Sequence, residues 1–294
     1  MGLLLFILAL SIFLFFVLSK WRKSGQKLLP TGPPGLPFLG NLHQIDNSTI
    51  HKYLWQLSRK YGPLMSLRLG FVPTLVVSSA RLTKEVMKTH DLTFCSRPRL
   101  VGQQKLSYNG SDVAFSPYND HWREMKKICI LNLFSAKRVQ SFRPIREDEI
   151  CRMVNKISQQ ASLSKLTNLS EIALSLTNNV ICRVAFGKKY DDEGYERSRY
   201  HDLLNETQAM LGGFFISDYF PLFSWVDKLT GLRSRLEKNF HQMNMFYQEL
   251  IDDHLGPNRQ KSIQEDFIDI LLQLKEDQSD SMDIPLDHIK AVLM

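Results

Sequence analysis

The pattern of apolar and polar positions divides the chain into three parts. From Met1 to Ser19 no side chain is charged, and LLLFILALSIFLFFVLS is almost wholly Leu, Ile, Phe and Val. That run just reaches the roughly 20 apolar residues a membrane-spanning helix needs. Lys20, Arg22, Lys23 and Lys27 follow it rather than precede it. A cleaved signal has its basic residues first and small residues at a cleavage site, so the reversed order predicts a retained transmembrane anchor over residues 1–19. The basic side stays in the cytosol, which places the rest of the chain there. Residues 20–40 continue as a basic flank and a proline-rich connector, LPTGPPGLPFLGN, with Pro30, Pro33, Pro34 and Pro37. Proline fixes φ and removes donors, so this segment is stiff and extended and docks on the folded part.

Residues 41–294 read as one mainly helical domain with a small antiparallel β-sheet near its N-terminus. HKYLWQLSRKYG is a short helix ending at Gly62. PLMSLRLGFVPTLVVSS reads as two strands around a turn at Gly70 to Pro73, and ARLTKEVMKTH as a helix. From Leu92 to Ser116 no period holds, and Arg97, Pro98, Gly102 and Gly110 mark a long loop; such loops often carry function. Ser116 followed by Pro117 signals a helix start. Helical patterns then run through Lys137 to Gln160, Leu169 to Phe186 before Gly187, and Tyr200 to Met210. Six aromatics in LGGFFISDYFPLFSWVD interrupt them. Leu232, Leu236, Phe240, Met243, Tyr247 and Leu250 recur at helical spacing up to the stop at Gly256 and Pro257. QEDFIDILLQLKEDQ is one more helix. In IPLDHIKAVLM, Leu286, Ile289 and Leu293 open an amphipathic pattern that Met294 cuts short, which predicts a truncated chain.

Composition narrows the function. The chain has 294 residues, 44% hydrophobic and 23% charged, with a net charge of +7. No dense Lys/Arg block with interleaved aromatics appears, which argues against nucleic acid as a partner. Cys95, Cys129, Cys151 and Cys182 show neither C-x-x-C nor a Cys/His metal spacing; they read as reduced, mostly buried small hydrophobes. The sequons at Asn47, Asn109, Asn168 and Asn205 are chance occurrences in a cytosolic domain.

The segment SPYNDHWREMKKIC carries the clearest candidate chemistry. Trp122 and Lys126 stand four residues apart, so on a helix they share a face. One indole N–H and one ammonium converging on a spot suit a carboxylate or a phosphate. The competing reading is a core indole beside a solvated lysine, and spacing alone favours that one. Arg123 and Lys127 fall off that face, on a basic surface.

An ordered set of segments resembles the N-terminal part of a plant microsomal cytochrome P-450, a haem-thiolate monooxygenase: the apolar anchor, PTGPPGLPFLGN, KYGPLMSLRLG, FCSRPR, FSPYNDHWREMKKIC, AFGKKY and DYFPLFSWVD. The resemblance implies haem b as cofactor, electrons from NADPH through a reductase, a small lipophilic substrate that receives one oxygen atom of O2, and a single-pass place in the endoplasmic reticulum membrane. It implies that Trp122 and Lys126 bind a haem propionate, with Lys where Arg is commoner, and that Arg97 meets a propionate too. It implies substrate contact by Val113 and Phe115. Arg123, Lys127, Lys137 and Arg138 become candidates for docking an acidic reductase. Phe214 to Trp225 would lie between two helices that roof the pocket, at substrate entry or against the membrane; plain core packing is the expectation for most of these residues.

The resemblance also marks what is absent. The F-x-x-G-x-R-x-C-x-G segment that holds the iron through a cysteine thiolate does not occur, nor do A-G-x-D/E-T and P-E-R-F. Glu149 with Arg152 and Glu196 with Arg199 fit E-x-x-R but fall too early. The expectation is therefore an incomplete fold with no catalytic residue and no axial iron ligand, inactive by itself. Its rivals are a non-catalytic membrane-anchored protein and a single-pass helical interaction module.

Overall fold

The structure is a computed structural model that describes residues 11, 29–45, 49–188, 195–257, 259, 264–276 and 284–294. The expected anchor lies outside the described residues but for Ser11, as do Lys20, Arg22, Lys23, Lys27 and Asn47. Among the described residues no helix is long and apolar enough to cross a membrane. The chain forms two compact units, one of residues 1–95 with 216–224, the other of residues 96–215 with 225–294.

In the first unit, helix α1 (Ile50–Tyr61) ends at Gly62 and leads into the hairpin of β1 (Leu64–Leu69) and β2 (Val72–Val77). The strands pair antiparallel from Leu64 opposite Val77 to Leu69 opposite Val72, forming a two-stranded sheet. The turn is tighter than the sequence suggests: it takes only Gly70 and Phe71, and Pro73 sits inside β2 opposite Arg68. A two-stranded sheet has only edge strands, where a missing N–H is tolerated. The connector docks along β1. Asn41 N–H donates to the Arg68 carbonyl at 2.6 Å, and Arg68 N–H returns a bond to Asn41 Oδ1 at 2.8 Å. Gly40 makes this approach possible, because its φ is +61° and a Cβ there would lie 2.0 Å from the Arg68 carbonyl oxygen. Helix α2 (Ala80–Lys84) runs on as a π-turn to Thr89, followed by the single turn α3 (Asp91–Phe94).

The second unit holds the core. Helix α4 (Val101–Leu106) lies inside the stretch expected to be a loop. The sequence hides it because its support is tertiary: Leu106 is buried with Met210, Phe215 and Leu236, and a Cβ on Gly102 would lie 2.3 Å from the Met210 carbonyl oxygen. Helix α5 (Asp120–Ile128) continues as a π-turn over Cys129–Leu133. It starts at Asp120, not at Pro117. Asn119 is extended and its Oδ1 accepts from Trp122 N–H at 2.8 Å, which makes Asn119 the cap. Ser116 is buried instead, its hydroxyl turned to the Pro117 carbonyl. The helix expected across Lys137 to Gln160 is broken at Phe142 into α6 (Ala136–Ser141) and α7 (Arg143–Ser162), with Pro144 in the first turn of the latter.

Helix α8 (Leu169–Phe186) has the expected bounds. Asn168 caps its start, and Gly187 at φ +62° ends it in the left-handed region. Helix α9 (Tyr195–Leu211) is longer than expected by a turn at its start. Next come α10 (Ile216–Tyr219), which belongs to the first unit, and α11 (Ser224–Leu229). Then follow α12 (Leu232–Leu255), α13 (Phe267–Glu276) and α14 (Leu286–Leu293). The core gathers the apolar faces of α8, α9, α12, α13 and α14 on Cys129 and Leu133. Phe186, Tyr200, Phe246 and Tyr247 form a ring cluster at its centre. The mainly helical fold with one small antiparallel sheet is as expected.

Candidate functional site

The junction between the loop after α4 and helix α5 carries the candidate chemistry. The cap at Asn119 sets the phase of α5 and turns Trp122 back toward the loop. There the indole Nε1–H donates to the Val113 carbonyl at 2.9 Å. Lys126 shares the face, as spacing predicts, with its Nζ 4.6 Å from the centroid of the Trp122 ring. Tyr118 packs against the same indole at 5.4 Å. The indole N–H thus has a backbone partner, and the ammonium lies over the ring, a contact that stabilises by about 0.5–1 kcal/mol at an exposed site. Arg97 reaches the same loop: its Nε donates to the Ala114 carbonyl at 3.2 Å. Two successive carbonyls therefore bind Trp122 and Arg97.

Val113 packs its side chain against the main core, and Phe115 is half-buried beside it. Sequence reading missed Asp112. It is 3% exposed, and its Oδ2 accepts from the N–H groups of Ala114 at 3.1 Å and Phe115 at 2.9 Å. Burial pushes its carboxyl above the ordinary range, while the backbone N–H groups around it pull the other way. The signal was present: an Asp whose carboxylate meets the amides two and three residues on forms a local turn. Tyr108, in the left-handed region at φ +51°, donates its hydroxyl to Asn244 Oδ1 at 3.0 Å, and the buried Lys290 donates to the same oxygen at 2.8 Å.

The four candidate docking cations divide. Arg123 is ion-paired with Asp120, and Arg138 bonds Glu265 at 3.3 Å. Lys127 and Lys137 are exposed and make no ion pair among the described residues. The aromatic stretch corrects the expectation of core packing. Phe215 is buried, but Phe214, Phe223 and Trp225 are exposed, because the chain here breaks into single turns that leave few packing faces. Tyr219 instead offers its carbonyl to Phe71 N–H at 3.0 Å, beside the edge-on pair Phe71–Phe220.

Of the four cysteines, Cys129 and Cys182 are buried in the core, where burial pushes both thiols up to about 11; Cys151 is exposed on α7 and Cys95 follows α3. In the first E-x-x-R match Arg152 pairs with Asp148 rather than with Glu149. Glu149 bonds Arg183 at 2.6 Å, and Arg199 forms a two-pronged bond to Glu249 at 3.0 Å. A second polar cluster, also missed, joins His254, Asp266 and Asp269. Their ligand atoms lie within 4.8 Å of one another, and Arg259 bridges both carboxylates, so a guanidinium already answers the acidic pair.

The family model described as Cytochrome P450 matches residues 30–294. The 6,7,8-trihydroxycoumarin synthase of Pastinaca sativa is 50% identical over 286 residues, 97% of this chain and 55% of its own length. The 5-OH-xanthotoxin synthase of Ammi majus is 49% identical over 99% of this chain and 57% of its own length. The strychnine-11-hydroxylase of Strychnos nux-vomica is 44% identical over the same shares. The chain spans about half the length of the curated relatives it matches. A zebra fish cytochrome P450 structure with progesterone superimposes with a TM-score of 0.63 at 23% identity, over 83% of this chain and 54% of that one; it bears on the fold.

Proposed function

The chain belongs to the cytochrome P450 family, and from that premise we propose that it forms the first part of a haem-dependent monooxygenase acting on a small lipophilic metabolite. Haem, when bound, supplies the iron at which O2 is activated. The residues here fit the rim of that group and not its iron: Lys126 and Arg97 offer positive charge for the propionates, while no cysteine of the chain lies in an F-x-x-G-x-R-x-C-x-G segment. In this reading Trp122 contributes the frame rather than a donor, because its N–H holds the loop. Val113 and Phe115 face the substrate. Relatives named for a hydroxylated coumarin and a hydroxylated xanthotoxin support a flat aromatic of that kind.

The remaining assignments rest on the resemblance. Residues 1–19 anchor the chain in the endoplasmic reticulum membrane, with the folded part facing the cytosol. Arg123, Lys127, Lys137 and Arg138 meet a reductase that delivers electrons from NADPH. An iron-binding cysteine comes from a segment outside these 294 residues, so the chain by itself does not catalyse.

One observation carries the reading: consecutive carbonyls of one loop tie Arg97 and the Trp122–Lys126 pair into a single cationic edge. The test is haem retention in a form extended by the segment the relatives carry beyond this match. That form should show the absorption band of a thiolate-ligated haem when reduced under carbon monoxide, and the 294-residue chain should not. Trp122→Phe with Lys126→Ala in the extended form should speed haem loss to apomyoglobin; an unchanged rate would refute the role given to the pair.

A further inference from the structure

We infer that Asp112 is the positioning residue of this edge, the group that aims the two carbonyls at Trp122 and Arg97. The inference rests on the proposed reading of Trp122, Lys126 and Arg97 as the haem-facing edge. Its geometry follows from peptide planarity. A trans peptide unit points its N–H and its C=O in opposite directions. The Ala114 N–H and the Val113 carbonyl belong to one unit; the Phe115 N–H and the Ala114 carbonyl belong to the next. Asp112 Oδ2 accepts from both N–H groups, at 3.1 and 2.9 Å. The two carbonyls of those same units are the ones that accept from Trp122 Nε1 at 2.9 Å and Arg97 Nε at 3.2 Å. One carboxylate oxygen thus holds two successive peptides from behind, and their opposite faces meet the two cofactor-side groups.

Burial makes the hold firm. Asp112 is 3% exposed, so water competes poorly for either N–H. Its other oxygen, Oδ1, is buried and has no hydrogen-bond partner among the described residues. Both bonds end on Oδ2, an acceptor that a neutral carboxamide also offers. An asparagine could place its amide oxygen at Oδ2 and its NH2 at the unpartnered site. Val113, itself a candidate substrate contact, sits within the turn, so the same carboxylate fixes its backbone.

The test is made on the 294-residue chain in detergent, without haem. Its four tryptophans are labelled with 5-fluorotryptophan, and the Trp122 fluorine resonance is assigned by Trp122→Phe. Asp112→Ala should shift the Trp122 resonance toward its solvent-exposed position and leave the other three in place. Asp112→Asn should keep it at the unsubstituted position, because the acceptor is retained. An Asp112→Ala resonance that stays put in a protein of unchanged circular dichroism overturns the inference, and so does Asp112→Asn shifting as far as Asp112→Ala. Should Asp112→Ala fail to fold, amide exchange in the unsubstituted chain decides: Ala114 and Phe115 must be protected, and free exchange at either overturns the turn. Haem plays no part in these readouts. Unchanged haem retention in Trp122→Phe/Lys126→Ala would sink the proposed function alone and leave the positioning result standing.

Discussion

Two clusters of charge in the second unit are built on opposite plans. Between α7 and α8, Arg183 meets both Asp148 and Glu149, Arg152 closes on Asp148, and Asn179 fills the second oxygen of Glu149 at 3.2 Å. Glu149 is 2% exposed, yet each charge has an opposite charge or a donor beside it. On α5, Lys126 lies over an indole face and makes no ion pair among the described residues, and Arg97 reaches a carbonyl of the loop before it. The first cluster is closed and joins two helices. The second is open at Lys126, whose charge no carboxylate answers among the described residues. The same residue types serve cohesion in one place and, in the proposed reading, recognition in the other.

The largest effect should come from opening the closed cluster. Arg183→Met leaves the buried Glu149 with Asn179 as its one remaining side-chain partner among the described residues. Removing one partner of a buried pair costs about 3–5 kcal/mol, and urea denaturation followed by circular dichroism should show a loss of that order. A loss below about 1 kcal/mol would mean that the cluster is no more cohesive than a surface pair, and the contrast between the two regions would collapse.

A smaller effect separates the clusters by pH. The carboxyl of Asp148 is held below the ordinary range by its bond to Arg183 and then by its bond to Arg152. The stability it contributes is therefore present above the unfolded carboxylate range and is lost as pH falls through the lowered value. Asp112 is held above that range by burial, so its contribution is present in acid and is lost as pH rises through the raised value. Melting temperatures at about pH 2.5 and pH 7 should then move in opposite senses. Asp148→Asn should lose its stability penalty toward about pH 2.5, below the ordinary carboxylate range, whereas Asp112→Asn should gain on the unsubstituted protein toward pH 7. Two substitutions with the same pH dependence would show that both carboxylates sit in one kind of environment.

The contrast also explains what could be seen in the sequence. The ends of α8 were legible because Asn168 and Gly187 signal locally at both termini. The face shared by Trp122 and Lys126 was legible because a helix fixes it. What the indole N–H does was not, since its partner is a backbone carbonyl nine residues away, and a carbonyl leaves no mark on the sequence. The start of α5 was misplaced because Ser116 and Asn119 both make good caps, and the burial of Ser116 decides between them. Helix α4 was hidden by Gly102, which is there for the close approach of the Met210 carbonyl and not to break a helix. The union of Arg183 with Glu149 crosses 34 positions, a distance no periodicity encodes. Local rules gave the elements and their faces, and tertiary contacts decided which polar groups are spent and which stay available.

The smallest stability effect should come from the residue with the sharpest functional assignment. Lys126 is exposed, and its visible contact is the indole face at 4.6 Å. Lys126→Met keeps a long apolar stem over the ring and removes the charge, so the fold should lose less than about 1 kcal/mol. A site built for cohesion would not hold a charge so loosely. If the charge is kept for an anionic group, the same substitution should accelerate haem loss from the extended form while the melting temperature barely moves, and Lys126→Arg should restore retention, because a planar fork grips a carboxylate at least as well as an ammonium does. A Lys126→Met protein that loses stability and haem in parallel would place Lys126 with Arg183 among the groups that hold the fold together, and the distinction between the two clusters would fail at the residue where it is most exposed to test.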